Sequence, residues 1–240
     1  MTGVRYIDVR TAYLPSEDDF FCYHGLHGHK TSHLLDQVAD FLLTRPHEVV
    51  ILDFNHTLGF SSEHYARLAK LIEDKLSGKL LPPLPPVNTQ EPQGPQKTQN
   101  AQKTLIAKGF PSLNEIWKMG KQVIIVYNSG VSESKFWSQQ TICSPFYNTL
   151  SVDCLMTSLE DSSPHQGVFN VSQAILTPRP KTVALHLFSS LEKRLAGKCN
   201  EAVCEWLKEI CAKKRGVNIV MCDFVTKHDI PKHVVRLNYV

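Results

Sequence analysis

The sequence predicts an α/β fold built on a parallel sheet, and three observations carry that prediction. Val49-Val-Ile-Leu-Asp53 and Gln122-Val-Ile-Ile-Val-Tyr127 are short, continuous apolar runs, the pattern of strands covered on both faces. Helical periodicity around residues 31–45 and 61–76 makes strand and helix alternate in the βαβ rhythm. The runs also end in charged or polar residues, as at Asp53 to His56, and in an α/β barrel such strand ends form the active-site face. At 240 residues and 42% hydrophobic content, the chain can bury a sizeable core, and one domain over 1–240 is expected.

The first thirty residues hold two β-rich runs. In Gly3-Val-Arg-Tyr-Ile-Asp-Val-Arg10, Asp8 and Arg10 lie two apart, so a strand turns both to one face. The run Phe20-Phe-Cys-Tyr23 stops at His24, with Gly25 behind it as a flexible residue. A polar turn follows, then a helix over 31–45 with Leu34, Val38, Phe41 and Leu42 on one stripe. Thr31 or Ser32 is its expected N-cap, and Pro46 ends it. The strand from Val49 is expected to close at Phe54-Asn55-His56. Ser61 or Ser62 opens a second helix with Tyr65, Leu68, Ala69, Ile72 and Leu76 on one side, and Gly78 terminates it.

Between Leu80 and Lys103 the composition changes. Pro82-Pro-Leu-Pro-Pro86 precedes a run rich in Gln, Asn, Thr and Pro, expected to be a disordered or polyproline-like insertion at about 82–103. A Pro-rich docking motif is the other reading, although Pro83-x-x-Pro86 lacks a strongly basic flank. Further on, a short helix at 111–117, a strand at 122–127, a loop at 129–149 and a strand at 169–176 are expected. Helices at 182–195 and 201–213, a last strand at 217–222 ending in Asp223 and a closing helix at 230–237 complete the chain. That makes about six strands and at least five helices, with no repeat of solenoid or propeller period.

A formal net charge of +3, from 26 basic and 23 acidic residues, argues against a nucleic-acid partner and permits attraction to anionic lipid headgroups. The seven cysteines form an odd set without paired C-x-x-C spacing, which favours free thiols in a reducing compartment over a disulfide framework. No apolar run approaches the ~18 residues of a membrane span, and Met1-Thr-Gly3 does not open a signal peptide. A soluble cytoplasmic protein with peripheral membrane contact is expected.

Five motifs in order carry a resemblance along the whole chain: Gly3-Val-Arg-Tyr-Ile-Asp-Val-Arg10, Tyr23-His-Gly25, Glu48-Val-Val-Ile-Leu-Asp-Phe-Asn-His56, Ser172-Gln-Ala-Ile-Leu-Thr-Pro178 and Asn218-Ile-Val-Met-Cys-Asp-Phe224. They resemble the X domain of phosphatidylinositol-specific phospholipase C, and within it the X-domain-containing proteins that lack the accessory modules of signalling phospholipases. The resemblance implies an irregular TIM-type (β/α) barrel and cleavage of phosphoinositides to diacylglycerol and inositol phosphate. The partner it implies is a phosphoinositide lipid at a membrane surface, with no cofactor and no metal.

Residue by residue, the resemblance makes His24 the general acid and Arg10 the cation that serves the phosphoryl group in place of calcium. Calcium-dependent relatives carry carboxylates at the positions matching Asp8, Arg10 and Phe54, and of these only Asp8 is acidic here. Asp8 and Asn55 are expected to contact the headgroup, and Asp223 matches the carboxylate that orients the family's first histidine. The strand ending in that histidine has no counterpart before Gly3, so the barrel is expected to miss its first strand and the catalytic pair its first member. A catalytically impaired form that binds headgroups without turnover is the alternative, and docking through 82–86 is a third class. Plainer readings stand beside these: an Asp8 to Arg10 ion pair with a structural role, and His24 hydrogen-bonded in a turn. His24, His27, His29 and His33 lack the Cys or carboxylate spacing of a zinc site.

Overall fold

The order in which strands pair puts the N-terminal half of the chain into one six-stranded sheet, in the order β3 (Leu26–Lys30), β2 (Asp19–His24), β1 (Tyr6–Leu14), β4 (Val50–Leu58), β5 (Val123–Tyr127) and β6 (Trp137–Ser138). The structure, a computed structural model, describes residues 3–83, 110–127, 135–178, 190, 192–213 and 217–239. Their contacts divide into two compact units, Arg5–Thr141 and Ile142–Val240 with Met1–Val4. The expected insertion lies outside the described residues from residue 84 on, as does most of the helix expected at 182–195.

In the first unit β1 (Tyr6–Leu14) pairs in parallel with β4 (Val50–Leu58), and β4 with β5 (Val123–Tyr127) and β5 with β6 (Trp137–Ser138) likewise. Two helices follow the βαβ rhythm, α1 (Thr31–Leu43) and α2 (Ser62–Leu76). Leu35, Val38 and Leu42 of α1, and Leu68, Ala69, Ile72 and Leu76 of α2, recur at helical spacing and are buried. They pack with Val9, Val50, Leu52, Phe54, Val123, Ile125 and Tyr127 from one face of the sheet. Each such side chain, fully buried, contributes roughly 1.5–3 kcal/mol. The helix α2 starts where expected: the Ser61 hydroxyl accepts from the His64 backbone N–H at 3.4 Å, and His64 Nδ1 accepts from the Ser61 N–H at 3.0 Å. Gly78, at φ +78°, stops it.

Three features of this unit differ from the sequence reading. The strand β2 (Asp19–His24) runs antiparallel to β1 as a hairpin. Its turn is pinned at Asp18, whose Oδ1 accepts from Tyr13 Oη at 2.7 Å and from Arg67 Nη1 at 2.8 Å. Residues after Gly25 form a further strand, β3 (Leu26–Lys30), because Gly25 at φ +75° lets His24 pair directly with Leu26. That strand runs straight into α1, so the N-cap is Lys30, without a side-chain cap, instead of Thr31 or Ser32. Finally, β4 does not stop at His56 but continues to Leu58, held by pairing with β1 up to Ala12.

At the other end of β4 and β5, the buried Gln122 side chain ties three segments together. Its Nε2 donates to the carbonyls of Arg45 at 2.7 Å and Glu48 at 3.2 Å, and its Oε1 accepts from Lys79 Nζ at 2.6 Å. The short helix α3 (Leu113–Lys118) begins at a second capping box, Ser112 with Glu115.

The second unit has a three-stranded parallel sheet, β7 (Ile142–Cys143), β8 (Phe169–Gln173) and β9 (Ile219–Met221). A helix absent from the sequence reading, α4 (Val152–Asp161), packs Leu155 and Leu159 into its core. A π-helical turn, Glu192–Ala196, leads into α5 (Gly197–Ala212), which starts four residues earlier than expected and supplies Val203, Trp206, Leu207 and Ile210. The closing helix α6 spans Ile230–Arg236. All seven cysteines are free thiols, and burial pushes the Cys199 and Cys222 thiols up to about 11 and about 12.

Candidate functional site

The face of the six-stranded sheet that does not pack on α1 and α2 is polar in the middle, and the register explains why. In the parallel ladder Asp8 is the partner of Asp53, and Arg10 is the partner of His56. One intervening residue on β1, Val9, therefore matches two on β4, Phe54 and Asn55, a bulge. Phe54 packs edge-on against Tyr127 in the core, and the Thr57 hydroxyl is 2.7 Å from Tyr65 Oη of α2. Those residues are three apart and reach the same side, which strict alternation cannot provide. The bulge absorbs the extra residue, so Asn55 and His56 follow each other on the polar side.

At the centre stands Asp53, 1% exposed. Its Oδ2 accepts from Tyr6 Oη at 2.8 Å and from Asn55 Nδ2 at 3.3 Å, and its Oδ1 accepts from Gln139 Nε2 at 3.3 Å. Burial raises its proton affinity above the usual carboxylate range and the neighbouring Asp8 charge adds to that, while the three donors pull the other way. Tyr6 is also shifted upward, first by burial and then by the Asp53 charge. Sequence reasoning missed Asp53 as a site residue because it stands between the core residues Leu52 and Phe54 at what looked like the strand's end. Its signal is the alternation itself: with Leu52 and Phe54 turned to the helices, the residue between them must face the other way.

Arg10 and Asp8 form the expected pair, with both Arg10 Nε to Asp8 Oδ1 and Arg10 Nη2 to Asp8 Oδ2 at 3.4 Å. These contacts are longer than the roughly 2.7–2.9 Å of a tight charge-assisted bond. The Arg10 side chain is 41% exposed and that of Asp8 18%, so the carboxylate orients a guanidinium that still presents donors outward. Phe54, by contrast, is fully buried on the helix side, and the carboxylate that β4 sets beside Asp8 is Asp53.

His24 is exposed and is the last residue of β2. The β1:β2 ladder pairs Thr11 with Cys22, and His24 lies two residues beyond that pair, opposite Leu26 of β3. His56 is likewise exposed. In the other unit, Asp223 lies two residues beyond β9 and is exposed. Its backbone is clamped by Asn200 of α5, which is 1% exposed and donates from Nδ2 to the carbonyls of Asp223 at 2.9 Å and Phe224 at 3.4 Å. The sheet thus brings Asp8, Arg10 and Asn55 together on one face, His24 ends β2 in the same unit without a recorded contact to them, and Asp223 belongs to the second unit. Among the described residues, no cluster of three or more His, Cys, Asp or Glu side chains is arranged to hold a metal ion, and no helix is long and apolar enough to cross a membrane.

The phosphatidylinositol-specific phospholipase C of Listeria monocytogenes superposes with a TM-score of 0.64 at 18% identity, covering 98% of this chain and 78% of that one. A Staphylococcus aureus enzyme of the same name gives 0.65 at 12% identity, over 98% and 80%. The fold is that of these enzymes, a TIM-type α/β barrel of irregular build. Human PI-PLC X domain-containing protein 3 is 31% identical over 245 aligned residues, 99% of this chain and 70% of that protein. Mouse PI-PLC X domain-containing protein 2 is 32% identical over 98% of this chain, which spans 65% of that relative. No protein-family model matches the chain. At this identity and coverage the chain belongs to the family of PI-PLC X domain-containing proteins.

Proposed function

We propose that this chain, a single X domain, cleaves phosphoinositides to diacylglycerol and inositol phosphate by histidine acid/base catalysis, as a phosphoric diester hydrolase meeting lipid at the membrane surface from the cytoplasm. The observation that supports this most is the polar row of one sheet, with Arg10 turned outward by Asp8 and Asn55 on the neighbouring strand. In the first step the inositol 2-hydroxyl attacks phosphorus; the new O–P bond forms, the P–O bond to diacylglycerol breaks and a base takes the hydroxyl proton. His24 gives a proton to the departing oxygen. Arg10 supplies fixed charge and paired donors to the phosphoryl oxygens where negative charge accumulates. Asp8 and Asn55 position the headgroup.

Release of water-soluble inositol phosphate from vesicles containing labelled phosphatidylinositol tests the reading. Turnover that Arg10→Ala abolishes supports it; no release from any phosphoinositide sinks it. Binding without turnover is the second reading, favoured by one feature: Arg10, Asp8 and Asn55 are held by contacts of their own and need no imidazole to stay in place. Vesicle binding lost in Arg10→Ala, with no product from the unaltered chain, would select it.

A further inference from the structure

Two strands flank β1 in the sheet, β2 on one side and β4 on the other, and each carries an exposed imidazole, His24 at the end of β2 and His56 in β4. His56 is the ladder partner of Arg10. Ladder partners turn their side chains to one face, on strands roughly 5 Å apart, so the His56 ring stands beside Arg10 on the polar face. The bulge makes this so: without the extra residue between Asp53 and His56, alternation would turn His56 to the helices. The carboxylates of this face are engaged. Asp53 is 1% exposed and accepts from three donors, and both Asp8 oxygens accept from Arg10. His56 makes no hydrogen bond or ion pair among the described residues, and an exposed, unengaged imidazole can take up a proton and return it near neutral pH.

We propose that His56 is a catalytic residue, the general base that takes the proton of the inositol 2-hydroxyl. The inference rests on the reading of this face as a phosphoinositide site and names the base which that reading leaves open. The attacking hydroxyl is on the ring carbon next to the one that bears the phosphate. Its base must come within roughly 2.6–3.2 Å of it while the guanidinium holds the phosphoryl oxygens, so base and cation must be neighbours, as one ladder step makes them. In-line displacement also sets the entering and leaving oxygens on opposite sides of phosphorus. The strands that carry His56 and His24 lie on opposite sides of the strand that carries Arg10. As the new O–P bond forms, the hydroxyl O–H bond breaks and its proton passes to the lone pair of a neutral His56 nitrogen; the P–O bond to diacylglycerol breaks and its oxygen takes a proton from His24. Water then opens the cyclic phosphate by the reverse traffic, its proton going to His24 while His56 returns one to the 2-oxygen, and both rings are restored. The charged groups nearest His56 on this face by register are Arg10 and Asp8 on β1 and Asp53 on its own strand.

Initial rates of the full chain on phosphatidylinositol vesicles test the assignment. His56→Ala is expected to lower kcat by ~10² or more while KM changes less than about threefold. Free imidazole should restore part of that rate in proportion to its concentration, which a structural role for His56 would not allow. The acid-side fall of kcat/KM, which reports the base of the free enzyme, should disappear in His56→Ala without imidazole. If His56→Ala does not fold, His56→Gln, which keeps a hydrogen-bonding side chain and has no basic nitrogen, carries the same test with the same expected loss. A loss below about threefold, or a larger one that imidazole does not relieve and that leaves the acid-side fall in place, overturns the proposal, and product release by the unaltered chain then keeps the phosphoinositide reading standing. No release by the unaltered chain overturns both.

Discussion

Asp8 of β1 and Asp53 of β4 are direct partners in a parallel ladder, so two carboxylates stand side by side on one face of the sheet, the inner one fully buried. Among the described residues no cation pairs with Asp53; it is matched by neutral donors, while Asp8 takes the guanidinium. Burial and the Asp8 charge together hold its proton affinity above the unfolded value.

That relationship fixes the sign of a pH effect. A carboxyl whose pKa is raised on folding contributes stability that is fully present below its unfolded pKa, near ~3.9, and is lost as pH rises through the folded value. Asp53→Asn does not titrate. In urea unfolding at a series of pH values, the stability difference between the variant and the unaltered chain should therefore move in the variant's favour from about pH 3.5 to about pH 7. A difference that stays constant, or moves the other way, would mean that the three hydrogen bonds outweigh burial.

Arg10 makes a second prediction. Its planar fork, steered by Asp8 with two contacts of 3.4 Å, offers paired donors that an ammonium does not reproduce. Arg10→Lys should lower kcat/KM for phosphatidylinositol by at least ~10-fold, and Arg10→Ala by ~10² or more. Chelators should leave the rate of the unaltered chain unchanged. Turnover that appears only with added calcium would show that Asp8 and Asp53 ligate a cation together, and the electrostatic role of Arg10 would fall.

Gln122 predicts a purely structural effect. It is 5% exposed and its amide satisfies two backbone carbonyls and one ammonium. Gln122→Met keeps the volume and takes the amide donor from the Glu48 carbonyl, while the Arg45 carbonyl keeps the Glu48 N–H at 3.1 Å, at a cost of about 1–2 kcal/mol. Denaturant titration should show that loss as a lower midpoint at unchanged slope, and the surviving folded protein should keep its KM. A loss below ~0.5 kcal/mol would mean that water replaces the amide.

Much of the first unit was legible because apolar spacing and caps agree there: α1, α2, β4 and β5 all fall where periodicity put them. What was not legible depends on contacts remote in sequence. Nothing local says that the run Phe20 to Tyr23 turns back on β1; the Asp18 latch that fixes the turn needs Arg67, 49 residues away. Nor does any local signal carry β4 past His56, since its pairing with Thr11 and Ala12 does that. The helix α4 packs Val152, Leu155, Met156 and Leu159 on the core at helical spacing, a short stripe that the sequence reading passed over. At the site, Asp8, Arg10, Asn55 and His24 were visible as motif residues, whereas Asp53 was hidden by its own apolar neighbours. Gln139 follows a two-residue strand that no pattern marks.

The last prediction separates the two exposed imidazoles on this part of the sheet. His24 ends β2, and His56 is the ladder partner of Arg10. An acid that protonates the leaving oxygen matters only when that oxygen leaves badly, and an alkoxide such as that of diacylglycerol does. A nitrophenolate does not. His24→Ala should therefore lose ~10²–10⁴ in kcat on phosphatidylinositol and less than ~10-fold on the nitrophenyl ester of inositol phosphate, with headgroup affinity retained in both cases. A residue that removes the 2-hydroxyl proton is needed for either leaving group. If His56 does this, His56→Ala should slow both substrates alike, by ~10² or more. If it only lines the site, its loss should change either rate less than about threefold. An equal loss on both substrates in His24→Ala would take the acid role from His24, and a leaving-group dependence appearing in His56→Ala instead would assign that role to the imidazole beside Arg10.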